Sequence, residues 1–140
     1  TNIIEGNALR IDWNDVVDKN ELNYIMGNPP FIGARLMNEN QKEDISNIFK
    51  KIKGAGNLDY VSCWYKKATN YIDNTKIEVA FVSTNSITQG EQTAILWRHI
   101  LERGVIINFA YRTFRSKLKS TCALYNNRFF IYIKKEKVFI

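Results

Sequence analysis

Asn28, Pro29, Pro30 and Phe31 follow directly on a short apolar segment, and a tetrapeptide of these types can hold an amino group. The two prolines fix their own φ at about −65°, and Pro29 keeps Asn28 out of the helical region. Neither proline brings an N–H, so the carbonyls of this stiff loop have few local donors, and Asn28 adds a side-chain amide oxygen. An exocyclic amino group carries two N–H donors. The Asn28 oxygen and the Pro29 carbonyl can accept both, which leaves the nitrogen lone pair directed outward for attack, with Phe31 stacked on the attached ring. We read the amino group as that of a nucleobase. The alternative is a rigid turn closed by an aromatic plug, since proline marks turns readily.

Such a loop needs elements to hold it. Leu22–Met26 reads as a strand, and Gly27 supplies a turn before the tetrapeptide. From Glu39 to Lys53 the apolar positions Ile45, Ile48, Phe49 and Ile52 recur at helical spacing, with Asn38 as N-cap and Gln41 as its capping-box partner. A second helix is expected from Leu58 to Ile72, with Leu58, Val61, Tyr65, Ala68 and Ile72 on one stripe. A third is expected over about Glu91–Arg103, with Ala94, Trp97 and Leu101 on one face beside Ile95 and Ile100, and Gly104 as its stop. The apolar run Ile77–Val82 suits a buried parallel strand, and Val105–Ala110 and Phe129–Ile133 read as two more. Strands separated by helices predict crossover units and a parallel α/β sheet covered on both faces, with ligands at the carboxyl ends of the strands. Asn28 and the run Ser83, Thr84 and Asn85 fall at such ends.

Composition sets outer bounds. The 140 residues suffice for one core, and 45% apolar against 24% charged residues is ordinary for a globular domain. No stretch has the length of a membrane span and no basic-then-apolar leader opens the chain, so a cytoplasmic location is the expectation. Cys63, Cys122 and the single His99 make no metal-ligand or disulfide pattern; no metal site is expected. Cys63, Trp64 and Trp97 lie on helical apolar stripes and read as core, and His99 as an exposed helix residue. The formal charge of +6 lies wholly in the second half: residues 1–70 carry nine basic and nine acidic side chains, residues 71–140 eleven and five. Arg112, Arg115, Lys117 and Lys119, interleaved with Phe114, have the pattern of a phosphate-contacting loop; a solvated loop is the alternative. Lys134, Lys135 and Lys137 read as solvated.

Four blocks in order, Gly27–Phe31, Lys53–Val61 leading to Trp64 and Tyr65, Ala80–Gln92, and Phe109–Phe114, resemble the MmeI-like branch of bacterial restriction-modification enzymes. The resemblance covers about Ile3 to Arg115. In that branch one long polypeptide carries nuclease, methyltransferase and target-recognition parts. The resemblance implies part of a Rossmann-like S-adenosylmethionine-dependent methyltransferase sheet with flanking helices. It implies methyl transfer to the N6 amino group of adenine flipped out of double-stranded DNA, with Asn28, Pro29, Pro30 and Phe31 at the catalytic centre. Phe31 and Phe114 would sandwich the base, since an aromatic on the loop after the sixth strand has that place in the family. Asn7 and Ala8, in Gly6-Asn7-Ala8-Leu9, match the position beside the adenine of S-adenosylmethionine; by its residue type alone Asn7 is equally a turn residue. Ser83, Thr84 and Asn85 either border the target site or cap the helix that begins nearby.

The glycine-rich cofactor turn of the family has no counterpart here, so the main cofactor motif is expected before Thr1, and the chain is expected to be the C-terminal portion (1–115) of a methyltransferase domain in a longer polypeptide. After Arg115 the sequence departs from the family pattern, and residues 116–140 read as a divergent tail with the final strands. Two other classes share these features. A methyltransferase of RNA amino groups or protein amides could use the same tetrapeptide, and an inactive DNA-contacting remnant would keep the basic charge without the chemistry.

Overall fold

The computed structural model describes residues 3–112 and 128–135. Its four strands are β1 (Tyr24–Gly27), β2 (Glu78–Thr84), β3 (Val105–Arg112) and β4 (Arg128–Lys135), in the spatial order β1-β2-β4-β3. Three helices flank them: α1 (Glu39–Ile48), α2 (Ser62–Tyr71) and α3 (Gly90–Leu101). β1 and β2 are parallel, with Gly27 opposite Phe81. The expectation of a wholly parallel sheet fails at β4, which runs antiparallel to both β2 and β3. Parallel addition needs a crossover that returns the chain to the same end of the sheet. β4 instead turns back from β3 and slots in beside β2. The β3–β4 register slips between Ile107 and Phe109, a bulge that sharpens the local twist.

The capping box forms as the sequence predicts, with Gln41 N–H on Asn38 Oδ1 and Asn38 N–H on Gln41 Oε1, each at 3.0 Å. α1 ends five residues before Lys53, because Lys51 and Gly54 take positive φ (64° and 85°) and reverse the chain. α2 begins at Ser62 rather than Leu58, since Ala55–Asn57 forms a 3-10 turn and Leu58 is extended after it. The stripe is sound nonetheless: Leu58, Val61, Tyr65, Ala68 and Ile72 are wholly buried. On α3 the buried face is rotated from the expected one. Leu96, Trp97 and Ile100 point inward, while Ala94 and Leu101 are exposed. The Trp97 indole explains the choice: its Nε1–H donates to the Ile87 carbonyl at 2.8 Å, and its ring meets that of Tyr65 edge-on. Gly104, at φ 70°, ends the helical region as expected.

The core lies between the sheet and the helices, centred on Tyr65, which also sets its edge against Phe81 at 5.3 Å. Cys63 is fully buried and burial pushes its thiol pKa up, as befits a packing residue. Trp64 is half-buried against that core. β1 is covered less than expected: Tyr24 is 63% and Met26 79% exposed, and with Ile3, Ile4 and Trp13 they line an apolar groove of about 510 Å³. No helix among the described residues is long and apolar enough to cross a membrane.

Candidate active site

Because β1 and β2 are parallel, their carboxyl ends share one edge of the sheet, and that edge carries the tetrapeptide. Asn28 follows immediately on β1 and is exposed; Pro29 is buried, Pro30 exposed and Phe31 half-buried. The buried proline pins the loop to the fold while Asn28 on one side of it meets solvent. Gly27 leaves little room for a side chain: a Cβ there would lie 3.2 Å from the Phe81 ring, which would have to give by a few tenths of an ångström.

The loop is held from behind. The Tyr60 N–H donates to the Ile32 carbonyl at 2.9 Å, and the Ala34 N–H donates to Asp59 Oδ1 at 3.3 Å. Leu36 N–H on the Gly33 carbonyl closes the 3-10 turn that follows, Ala34–Leu36. The other oxygen of Asp59 accepts a short hydrogen bond from Ser86 Oγ, and Ser86 in turn lies 2.6 Å from Thr84 Oγ1. Ser86 has one hydroxyl hydrogen, so when it serves Asp59 it is Thr84 that donates to Ser86. The Asp59 N–H is itself held by Gln92 Oε1 at 3.0 Å. Asp59 is 8% exposed and so ties three segments together inside the protein.

Ser83, Thr84 and Asn85 do not cap a helix through their side chains. Ser83 is buried against the Tyr65 hydroxyl at 3.0 Å, and Asn85 Oδ1 accepts from Thr88 Oγ1. Thr84 precedes the 3-10 turn Asn85–Thr88 without capping it, and the N-cap of α3 is Gln89. The capping expectation is thus replaced by a polar knot at the end of β2.

Asn7 sits on an exposed turn. Its Oδ1 accepts from the Leu9 N–H at 2.9 Å, and its carbonyl from Arg10 and Ile11, so it does the work of a turn residue. Its Nδ2 donates to Asp44 at 3.3 Å. Asp44, 3% exposed, also accepts from Arg10 Nε at 2.8 Å and from the Tyr60 hydroxyl at 2.6 Å. Burial alone raises a carboxyl pKa, yet the three hydrogen bonds outweigh it and hold Asp44 below its usual 3.8. The Tyr60 phenol is pushed up, by burial first and then by Asp44. Ala8 is half-buried, and its carbonyl, with those of Leu9 and Ile11, takes the Lys67 ammonium, which also stands 5.2 Å over the Trp13 ring.

Asp59, Tyr60, Asp44 and Lys67 are the site-shaping residues that the sequence reading passed over. The signal was present for Asp59, a lone carboxylate between Leu58 and Val61 of an apolar stripe, but not for Asp44, which follows Glu43 on a polar stretch. His99 is half-buried rather than exposed, beside Lys51, Lys53 and Glu102. Of the expected DNA-contacting and base-stacking residues, Arg112 ends β3, while Phe114, Arg115, Lys117 and Lys119 lie outside the described residues. No cluster of metal-ligating side chains occurs among the described residues.

The family described as MmeI, DNA-methyltransferase domain, matches residues 1–124. DNA methyltransferase A of Bacillus subtilis (strain 168) is 44% identical over 112 residues, 79% of this chain and 13% of that protein. A solved structure of the type IIL restriction-modification enzyme MmeI in complex with DNA is similar with a TM-score of 0.90 and 43% identity, over 98% of this chain and 18% of that one. The chain therefore spans less than a fifth of the length of either relative. With the tetrapeptide loop at the sheet edge and a family match over most of its length, the chain belongs to the MmeI DNA-methyltransferase domain family.

Proposed function

We propose that this chain is the target-amine half of a DNA methyltransferase that modifies the N6 amino group of adenine. The observation that carries the reading is the loop itself: Asn28 exposed at the carboxyl end of β1, on a backbone pinned by buried Pro29. The DNA in the solved MmeI complex and the name of the Bacillus relative support DNA over RNA or protein as substrate.

S-adenosylmethionine, when bound, supplies an electrophilic methyl group. The residues around Asn7 fit one end of such a donor: after serving Asp44, the exposed Asn7 amide keeps a second Nδ2 hydrogen for a ring nitrogen. On the acceptor side, Asn28 Oδ1 and the Pro29 carbonyl take the two N–H groups of the target and turn its lone pair outward. So aimed, the lone pair would take the methyl group that the bound donor would give up from its sulfonium sulfur, and the nitrogen would lose one proton to water. An exocyclic amine is too weakly basic to need a general base before attack, so positioning and preorganised acceptors supply the rate. Phe31, with Phe114, would hold the flipped ring; stacking returns roughly 1–3 kcal/mol per ring against an unstacking cost of a few kcal/mol.

The test is mass spectrometry of nucleosides from duplex DNA incubated with S-adenosylmethionine and the methyltransferase domain that contains these residues. N6-methyladenine is expected, and is expected to vanish in Asn28→Ala. Unmodified DNA from a folded, cofactor-binding domain overturns the adenine assignment, and salt-sensitive DNA binding without transfer identifies a non-catalytic DNA-contacting piece.

A further inference from the structure

We propose that Asp59 is a positioning residue for methyl transfer: its carboxylate fixes the segment behind Phe31 to the end of β2, and so sets the orientation of Asn28 and Phe31. This rests on the amino-transfer reading above and deepens it.

The argument is one of geometry. The tetrapeptide loop leaves the sheet at Gly27 and must be held at its far end if two prolines are to aim it. Two attachments at the far end are the Tyr60 N–H on the Ile32 carbonyl and the Ala34 N–H on Asp59 Oδ1. The first is a backbone bond that survives any substitution at position 59. The second is the only one of the two made by a side chain, and that side chain continues into the β2 end through Ser86 and Thr84. Gln92 of α3 holds the Asp59 backbone N–H, so the clamp is fixed from a third direction. A charged acceptor in this place is short in reach, nearly buried and bound on both oxygens, which leaves it little rotational freedom.

The same clamp closes one wall of a cleft of about 680 Å³ lined by Gly33, Arg35, Asn57 and Gln92. Without the carboxylate, the Ala34 amide turns to water in that cleft and the loop loses its tether to β2. The tetrapeptide keeps its covalent stiffness but not its direction. Misplacing a reacting group by about 1 Å costs on the order of 100-fold in rate.

Three variants of the complete methyltransferase domain separate the possibilities: Asp59→Ala, Asp59→Asn and Ser86→Ala. Single-turnover methylation and steady-state kcat and KM are measured below the unfolding temperature of each variant, alongside the fluorescence of duplex DNA carrying 2-aminopurine at the target position. The expected result for Asp59→Ala is a fall of about 10- to 100-fold in kcat, KM for DNA within about threefold, and a changed 2-aminopurine signal in the bound complex. Asp59→Asn keeps an oxygen for the Ala34 N–H and can donate to Ser86 from its amide, so it is expected to recover most of the rate. Ser86→Ala, which loosens only the β2 end of the clamp, is expected to fall between. A wild-type kcat in Asp59→Ala, with only its unfolding temperature lowered, overturns the positioning role while Asn28→Ala remains inactive and the amino-transfer reading stands. Absence of transfer in the wild type is the failure of that reading and not of the clamp.

Discussion

Tyr60 donates its phenolic hydrogen to Asp44 at 2.6 Å across 16 residues of sequence, and that one bond joins the two ends of the candidate site. On the Asp44 side are Asn7 and Arg10, on the exposed turn; on the Tyr60 side, through its backbone N–H, is the Ile32 carbonyl behind the tetrapeptide. The Asn7 turn and the tetrapeptide loop therefore share a buried carboxylate as a common anchor.

Tyr60→Phe removes one donor from a buried anion and leaves the ring packing, including its edge contact with Trp64, intact. Hydrogen bonds to charged groups contribute about 1.5–3 kcal/mol, so urea unfolding should show a loss in that range. Asp44→Ala, which removes the acceptor altogether, should cost at least that much. The double variant should lose less than the sum of the two, because both remove the same bond. Strict additivity in that cycle would show that the bond contributes nothing.

Acid should act through the same carboxylate. The folded-state pKa of Asp44 lies below its unfolded value of 3.8, so its contribution to stability is present above 3.8 and is lost as pH falls through the lower folded value. Unfolding free energy measured between pH 7 and pH 2 should therefore fall more steeply below about pH 4 in the wild type than in Asp44→Asn. Equal slopes would assign acid sensitivity to other carboxylates.

Gly54 should resist substitution for two independent reasons. Its φ of 85° is a left-handed conformation, and a Cβ would meet Ile95 Cδ1 at 2.8 Å. Gly54→Ala is expected to destabilise by about 1–2 kcal/mol from the backbone alone, plus whatever Ile95 pays to move. Gly56→Ala, where nothing lies within 4 Å of the added carbon, is the control and should change the unfolding temperature little.

Phe31 should matter to base binding more than to folding. It is only half-buried, so Phe31→Ala should leave the unfolding temperature within a few degrees of wild type. If it stacks on the target ring, the same change should weaken binding to DNA with an unpaired target by about 1–3 kcal/mol, or 5- to 150-fold in Kd. Phe31→Tyr keeps the π-face and should bind close to wild type. An unchanged Kd in Phe31→Ala would remove the stacking role.

Local signals carried much of this structure. The capping box at Asn38 and Gln41, the buried stripe of α2 and the stop at Gly104 each depend on residues within a few positions of one another, and each stands in the fold where the sequence puts it. The placement of Asn28 at a strand end was legible because prolines and glycine constrain the backbone directly. What escaped depends on distant partners. Asp44 finds Asn7 and Arg10 more than 30 residues away, and Asp59 finds Ser86 across 27. No periodicity announces such pairs. The direction of β4 escaped for a related reason: an apolar run fixes strand character, whereas its polarity in the sheet depends on the path of the connection.

β4 is the last of the four strands in the chain but lies inside the sheet, between β2 and β3. During synthesis, β2 is made some fifty residues before the strand that covers its flank. Until Arg128–Lys135 has emerged, the β2 backbone from Glu78 to Thr84 presents unpaired amides and carbonyls beside Val79 and Phe81, which are apolar. The sheet thus closes late and through contacts of long sequence separation, which slows folding. A chain cut short before β4 keeps an open β2 edge, the kind of unpaired edge at which aggregation begins.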